Sequence, residues 1–309
     1  MMEAVILDNV SKVFDAGTPQ ETLAVDRLSL SIRHGEIFSL VGPDGAGKTT
    51  ILRMMCGVLA ATSGELRVCG FDARTQREEI KRRIGYLSQR FSLYGDLSVD
   101  ENIDFFADIH RVEDYALRKE ELLRFTRLTP FRDRLAERLS GGMKQKLALA
   151  CTLIHRPEVI FLDEPTTGVD PVSRRDFWKI LSDVLRSGIS IVMTTPYLDE
   201  AERSARVALI NEGNLLMCDT PARVKASFGH EVVEVLCRNP RTAHHAIMSV
   251  PGVRDAQLFG DRLHVVLEAG HPGHEELVKG LREKGIDVLD ARDILPSLED
   301  VFVSRMSTR

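Results

Sequence analysis

The sequence has few cysteines and no long apolar run, and both shortages restrict the kind of protein that it encodes. Its five cysteines are scattered, odd in number and without a CxxC pair, which is typical of a reducing compartment and not of a disulfide framework. No apolar run approaches the ~20 residues that a membrane-spanning helix needs. If the protein works at a membrane, another chain must supply the spans.

A basic excess and a signal peptide are also missing. The formal net charge is -5, so the chain as a whole lacks the basic surface of a nucleic-acid-binding protein, and we expect no nucleic-acid partner. The opening MMEAVILDNV has no basic stretch followed by an apolar one, so it predicts no signal peptide. The length of 309 residues suits one large domain and one small domain.

Apolar segments alternate with helical patterns over the first 220 residues, which is typical of an α/β protein with a mostly parallel sheet. Strands covered on both faces are apolar throughout, and this pattern recurs at 36–42, 83–89, 158–164, 190–195 and 206–213. Residues 3–33 alternate instead and predict an antiparallel flank. Charges at helical spacing predict an inserted helical subdomain at about 90–140.

The composition changes after Pro221, and we expect a first domain at 3–229 and a second at 230–309. In the second, strand and helix patterns follow in the order β-α-β-β-α-β, with a hairpin turn at Gly260 and Asp261. This order predicts a ferredoxin-like α+β domain, which we expect to serve in dimer contact or regulation. The segment PSLEDVFVSRM predicts a closing helix.

A phosphate-binding loop is predicted at GPDGAGKTT, which matches G-x-x-x-x-G-K-[ST] between a strand and a helix. The glycines allow a tight backbone whose N–H groups point at phosphate oxygens, and the start of the helix adds its positive dipole end. Lys48 is expected to reach the β- and γ-phosphates, and the Thr49 hydroxyl to bind Mg²⁺. The expected nucleotide contacts are Gly42, Pro43, Asp44, Gly45, Ala46, Gly47, Lys48, Thr49 and Thr50.

An acidic pair ends the strand VIFLDE. A carboxylate at such a strand end can hold Mg²⁺ through water, which we assign to Asp163. The next residue can take a proton from the attacking water, so Glu164 is the candidate general base. Alone this pair is weak evidence, but together with the phosphate loop it predicts ATP hydrolysis.

The segment LSGGMKQ, 92 residues after Lys48 and just before the acidic pair, completes a pattern that resembles the ATP-binding subunit of an ABC transporter. The resemblance covers about residues 3–220 and implies a P-loop NTPase core of the ABC ATPase type. The loop, LSGGMKQ and YLDEAE resemble the exporter branch that includes multidrug and antibiotic-resistance pumps. The tail, with PSLEDVF, resembles an extension that many of those subunits carry.

The resemblance implies further site residues. It places Phe14 against adenine, although Phe14 could also be a core residue, and it assigns Gln89 to Mg²⁺ and water. It implies that Ser140, Gly141 and Gly142 face the γ-phosphate on another subunit, and that Asp170 lies along the dimer seam. One position departs from the family pattern, because Pro196 stands where the family has a histidine that contacts the γ-phosphate. A neighbouring residue could compensate for its loss.

The function implied by the resemblance is that of an ATP-binding subunit of an exporter, peripheral on the cytoplasmic face of the cell membrane. ATP and Mg²⁺ are the implied cofactors. Integral membrane subunits and a second ATP-binding subunit are the implied partners, with a heterodimer favoured over a homodimer because of Pro196. The alternatives are a soluble ABC ATPase in DNA repair or translation and an ATP-gated regulator with little hydrolysis.

Overall fold

The computed structural model describes residues 3–89, 93–268, 270, 271 and 273–307. By contacts, the chain divides into two compact units, Met1–Thr220 and Pro221–Arg309. The division lies nine residues before the predicted boundary at 229/230, because a helix that begins at Pro221 belongs to the second unit. The predicted start of the helical subdomain at residue 90 and the predicted end of the second domain at 309 lie outside the described residues.

The strands of the first unit are β1 (Glu3–Phe14), β2 (Thr22–Arg33), β3 (Ile37–Val41), β4 (Ser63–Val68), β5 (Phe71–Asp72), β6 (Ile84–Leu87), β7 (Val159–Asp163), β8 (Ser190–Thr195), β9 (Arg206–Asn211) and β10 (Asn214–Asp219). Its α-helices are α1 (Lys48–Met55), α2 (Arg77–Arg83), α3 (Val99–Ile109), α4 (Ala116–Phe125), α5 (Gly141–Leu153), α6 (Pro171–Arg186) and α7 (Leu198–Ala201). Short 3-10 helices lie at Thr129–Phe131 and Ala136–Arg138.

The central sheet has the strand order β10-β9-β3-β8-β7-β6. Neighbours from β9 to β6 are parallel, whereas β10 is antiparallel to β9. Every residue of β3, β7 and β8 is buried, as predicted for strands covered on both faces. All the predicted apolar segments lie in this sheet, and the carboxyl ends of β3, β7 and β8 meet at one edge.

An antiparallel sheet of order β2-β1-β4-β5 flanks the central one. Its first two strands confirm the flank predicted at 3–33. The sequence did not indicate β4 and β5, which are short and have few buried side chains. The apolar side of α1 is buried in one core with Val5 of the flank and Phe38 of the central sheet. This packing fixes the position of the loop that joins β3 to α1.

The segment between β6 and β7 contains α3 and α4 of the predicted helical subdomain, and then α5. A capping box begins α3, because Ser98 Oγ accepts from the Glu101 N–H and the Glu101 carboxylate accepts from the Ser98 N–H. The buried side chain of Asn102 donates to the carbonyls of Tyr94 and Leu97 and so ties the preceding loop to the helix. In the described part of the chain, no helix has both the length and the apolar character needed to cross a bilayer.

The elements of the second unit are α8 (Pro221–Ala226), β11 (Val232–Cys237), α9 (Pro240–Ile247), β12 (Val253–Phe259), β13 (Arg262–Leu267), α10 (His274–Glu283), β14 (Val288–Ile294) and α11 (Leu298–Ser307). From β11 to β14 they follow as β-α-β-β-α-β, and the strands pair antiparallel in the order β12-β13-β11-β14. Ile247 of α9 and Leu277 of α10 are buried with Val233 and Leu263 of the sheet. The second unit therefore has a hydrophobic core of its own.

Candidate active site

The predicted phosphate loop lies between the end of β3 and the start of α1, at the edge where the parallel strands end. Two of its glycines are required because backbone carbonyl oxygens of other strands lie against them. A Cβ on Gly42 would lie 2.1 Å from the carbonyl oxygen of Ile210, and a Cβ on Gly47 would lie 2.6 Å from that of Ala24. Gly47 also has a φ of 98°, which side-chain-bearing residues rarely adopt. The loop can take this shape only with glycine at both positions.

We expect Gly47→Ala to lower the melting temperature and the ATP affinity more than Gly45→Ala does. Both positions have positive φ, which costs an alanine roughly 1–2 kcal/mol. At Gly45 an added Cβ would have no neighbour within 4 Å, whereas at Gly47 it would meet the Ala24 carbonyl. Thermal unfolding and nucleotide titration of the two variants measure the difference. Equal effects would contradict the steric account.

The Lys48 side chain lies inside the loop and is only 4% exposed. It donates to the carbonyl oxygens of Gly42 and Pro43, each at 2.8 Å, and lies 3.8 Å from Glu164 Oε1. Burial lowers the pKa of Lys48, and the nearby carboxylates, Glu164 first, oppose that shift. The lysine is therefore held where the loop closes around it.

Asp163 ends β7 and is 1% exposed. Its Oδ1 accepts from the hydroxyls of Thr49 at 2.9 Å and Thr194 at 2.7 Å. Its buried Oδ2 has no hydrogen-bond partner among the described residues. A buried carboxylate oxygen without a partner is costly unless a cation or water uses it, so Asp163 and Thr49 fit a Mg²⁺ site.

Glu164 has a φ of 47°, a strained value for a non-glycine residue and one that clusters at functional sites. Its N–H donates to Thr194 Oγ1 at 2.9 Å, which fixes the backbone at this position. Its carboxylate accepts from Gln89 Nε2 at 2.9 Å and from Thr167 Oγ1 at 3.3 Å. The structure thus brings Gln89 and Glu164 together, although 75 residues separate them in the sequence.

Of these side chains, Lys48, Thr49, Gln89 and Glu164 line one open cleft of about 320 Å³, whereas Asp163 and Thr194 are not among its lining residues. Its lining residues are Ala24, Asp44, Gly45, Ala46, Gly47, Lys48, Thr49, Thr50, Gln89 and Glu164. Sequence reasoning missed Ala24, an apolar residue of β2 that belongs to no motif. It also missed the contacts of Thr194, for which the only signal was a threonine pair at a strand end.

The other predicted site residues are not among those that line this cleft. Ser140 caps α5 by accepting from the Met143 N–H, and Asp170 caps α6 by accepting from the N–H groups of Val172 and Ser173. Phe14 is half-buried, with the Lys12 ammonium 4.9 Å from its ring centroid.

The two glycines of the LSGG segment differ in their surroundings. A Cβ on Gly142 would lie 2.5 Å from Ser173 Oγ, so α5 and α6 approach closely there. A Cβ on Gly141 would have no neighbour within 4 Å. The start of α5 is therefore open on the Gly141 side.

Pro196 directly follows β8 and is half-buried. The preceding threonines are both fully buried and hydrogen-bonded within the chain, Thr194 to Asp163 and Thr195 to Glu200. The N–H of Tyr197 donates to Thr195 Oγ1 at 3.0 Å. This strand end is thus held by hydroxyl groups, and Pro196 adds no donor to it.

The fold and the site together define a P-loop nucleoside triphosphatase, with a phosphate loop after one parallel strand and an acidic pair at the end of another. The ABC transporter family profile matches residues 25–167. The chain belongs to the ATP-binding proteins of that family, as the similarity to individual relatives shows over nearly its whole length.

Two relatives and one solved structure illustrate the similarity. The chain is 38% identical over 98% of its length to the probable multidrug ABC transporter ATP-binding protein YbhF of Escherichia coli (strain K12), and it spans 52%, about half, of that relative. It is 33% identical to the daunorubicin resistance ATP-binding protein DrrA2 of Streptomyces coeruleorubidus, over 92% of this chain and 90% of DrrA2. The dimeric, post-hydrolysis ATP-binding cassette MJ0796 with ADP and Pi has a TM-score of 0.61 and 26% identity, over 70% of this chain and 98% of that one.

Proposed function

We propose that this chain hydrolyses ATP to energise an ABC exporter through separate membrane subunits, at the cytoplasmic face of the membrane. The Gln89–Glu164 contact beside the phosphate loop carries the proposal, because it sets a carboxylate in the cleft where phosphates would lie. Export is supported by the names of YbhF, a probable multidrug transporter protein, and DrrA2, a daunorubicin resistance protein. No observation on the described residues favours a soluble ATPase of DNA repair or translation.

In this proposal Glu164 is the general base. Hydrolysis of ATP to ADP and phosphate requires a water molecule that attacks the γ-phosphorus and gives up a proton. The Glu164 carboxylate accepts that proton, and the side-chain amide of Gln89 holds the carboxylate in place. Lys48 and the positive end of α1 balance the negative charge of the phosphates.

Mg²⁺ would be held by the Thr49 hydroxyl, the Gln89 side chain and, through water, Asp163. These are hard oxygen ligands of the type that Mg²⁺ prefers. The buried, unpartnered Oδ2 of Asp163 supports this assignment among the described residues. When bound, the ion would neutralise charge on the β- and γ-phosphates.

A dimer is the active unit in this proposal. Ser140, Gly141 and Gly142 do not line the cleft of their own chain, and the open side of Gly141 leaves the start of α5 free to approach a nucleotide on a second subunit. The positive end of α5 would then face the γ-phosphate of that nucleotide. Asp170, at the start of α6, would lie along the seam, and Phe14 would stack on adenine.

Pro196 weakens this chain's own site in the proposal. Its neighbours Thr194 and Thr195 already use their hydroxyls within the chain, so neither replaces the missing histidine without losing a contact. Loss of one donor to a reacting oxygen typically costs about 10²–10³ in rate. We therefore favour a heterodimer in which a second ATP-binding subunit, with its own histidine, does most of the hydrolysis, over a homodimer with slow sites.

The test is to measure ATP hydrolysis by the chain purified alone and by its Pro196→His variant. We expect slow turnover alone and a gain of about tenfold or more with histidine, because an imidazole restores a donor to the γ-phosphate. Pro251→His makes the same change at an exposed position of the second unit and should bring no gain.

Two outcomes would contradict parts of the proposal. Turnover of about tens per second by the unpaired parent chain would show that Pro196 is no handicap, since this is already an ordinary enzyme rate. No hydrolysis by the chain, by the variant or by a mixture with a second ATP-binding subunit would contradict the ATPase function.

A further inference from the structure

A buried carboxylate, Glu200, lies in the short helix that follows β8, near the sheet edge that carries the candidate site. Glu200 of α7 is 1% exposed, and its Oε2 accepts from Thr166 Oγ1 at 2.7 Å and from Thr195 Oγ1 at 3.3 Å. Its Oε1 lies 3.2 Å from Arg174 Nε of α6. One side chain thus joins the turn after β7, the start of α6 and the end of β8.

Burial makes this carboxylate costly unless it is paired. Desolvation raises the pKa of Glu200, and the Thr166 hydroxyl and the Arg174 charge oppose that rise. A charge out of water is tolerated where an opposite charge and hydrogen bonds offset the cost. Here two hydroxyls donate to Oε2 and the Arg174 charge lies beside Oε1, while Oε1 and Arg174 Nε form no hydrogen bond within the described residues. Removing either partner would leave the other unsatisfied, so the group acts as a unit.

The two threonines that contact Glu200 both lie close to Glu164 in the structure or in the sequence. Thr166 lies two residues after Glu164 in the turn that follows β7. Thr195 lies beside Thr194, whose hydroxyl holds both Asp163 and the N–H of Glu164. Glu200 therefore binds the turn that carries Glu164 and the end of β8, where Thr194 holds the N–H of Glu164.

Arg174 lies on α6 and contacts both Glu200 and the segment after β8. Its guanidinium lies 4.7 Å from the ring centroid of Tyr197, the residue after Pro196. Ser173, which precedes Arg174 on α6, faces Gly142 at the start of α5. The pair of Glu200 and Arg174 thus connects the Pro196 segment to the helix that presents Gly141.

We propose that Glu200, paired with Arg174, is a positioning residue that holds the backbone of residues 164–167 and 194–197 so that Glu164 points at the attacking water. The inference rests on the proposed ATPase function, and it adds a residue that touches neither the nucleotide nor the water. In this proposal Glu200 also holds the end of β8 next to Pro196, a position at which proline cannot make the side-chain contacts that a histidine would make.

The first test is amide hydrogen exchange of the full chain, which needs no turnover. Glu200→Gln keeps the shape of the side chain but removes the charge that pairs with Arg174. We expect exchange to quicken about tenfold or more in peptides covering 164–169 and 194–201, with peptides covering 42–50 unchanged. Asp199→Asn is the matched control, because Asp199 is the exposed neighbour of Glu200 on α7. Unchanged exchange in both segments would overturn the proposal.

The second test is the split between kcat and KM for ATP hydrolysis by the chain without a second ATP-binding subunit, so that only this chain's site is measured. For Glu200→Gln we expect kcat per bound nucleotide to fall about 10- to 100-fold, with KM within about threefold, because misplacing a catalytic group affects the reaction more than binding. Counting turnover per bound nucleotide separates lost positioning from lost folded protein. A raised KM with unchanged kcat would overturn the proposal.

Two further variants ask whether the contact itself is responsible. Thr166→Val should lower kcat, and Thr166→Ser, which keeps the hydroxyl, should restore it. Thr166→Val combined with Glu200→Gln should lose little more than Glu200→Gln alone, because both remove the same contact. If the loss of kcat in the double variant equals the product of the two single losses, Thr166 and Glu200 do not act through the same contact. Absence of turnover in the parent chain, alone or with a second ATP-binding subunit, would instead refute the proposed ATPase, while hydrogen exchange would still decide whether Glu200 positions residues 164–167.

Discussion

In the chain purified alone, Glu164→Gln is expected to lower the rate of ATP hydrolysis by about 10²-fold or more while ATP binding is retained, because an amide cannot accept the proton of the attacking water. The glutamine can still accept the hydrogen bond from Gln89, so the shape of the site should persist. With hydrolysis blocked, ATP should trap the closed dimer. Steady-state hydrolysis, nucleotide titration and size-exclusion chromatography with ATP measure these effects.

The control is Glu275→Gln, which makes the same chemical change at an exposed position of α10. It should leave turnover, affinity and dimer lifetime unchanged. Hydrolysis by Glu164→Gln at the parent rate would mean that another group takes the proton and that the assignment of Glu164 is wrong.

Lys48→Ala is expected to weaken ATP binding by about tenfold to 100-fold, since a hydrogen bond to a charged group contributes about 1.5–3 kcal/mol. The ammonium group is already buried in the loop, so its loss removes the cation nearest the expected phosphates. Turnover should fall as well, because the same charge would stabilise the phosphates during transfer. Equilibrium titration with ATP measures the affinity.

Lys284→Ala removes a lysine that is exposed in the second unit and should change neither affinity nor turnover. Thermal unfolding of both variants checks that the fold is intact. Parental ATP affinity and turnover in Lys48→Ala would refute the placement of phosphates at the loop.

Much of the fold could be predicted because it depends on short-range patterns. Segments such as 158–164 and 190–195 are apolar throughout, and only a strand covered on both faces suits them. The short strand β4 could not be predicted in the same way, since its side chains are mostly exposed and alternate weakly. By contacts the two units divide at 220/221, nine residues before the expected boundary at 229/230 and at the point where the composition of the sequence changes.

The candidate site was predictable to a similar degree. Lys48, Asp163 and Glu164 follow from spacing within single motifs, and the structure gathers them with Gln89 at one edge. Their roles in binding and hydrolysis are still predictions, which the variants above test. Ala24 belongs to no motif, and nothing in its neighbourhood of the sequence marks it as part of a cleft.

By itself, the sequence determined the phosphate loop, the acidic pair, the parallel strands and the β-α-β-β-α-β order, because each depends on residues a few positions apart. Only the tertiary structure decided which distant side chains meet: Thr194 with Asp163, Gln89 with Glu164, and Arg174 with Glu200. The physical reason is that parallel strands bring their carboxyl ends to one edge of the sheet whatever their separation in the chain. Because buried polar groups need hydrogen-bond partners, the polar side chains at that edge pair with residues of neighbouring segments.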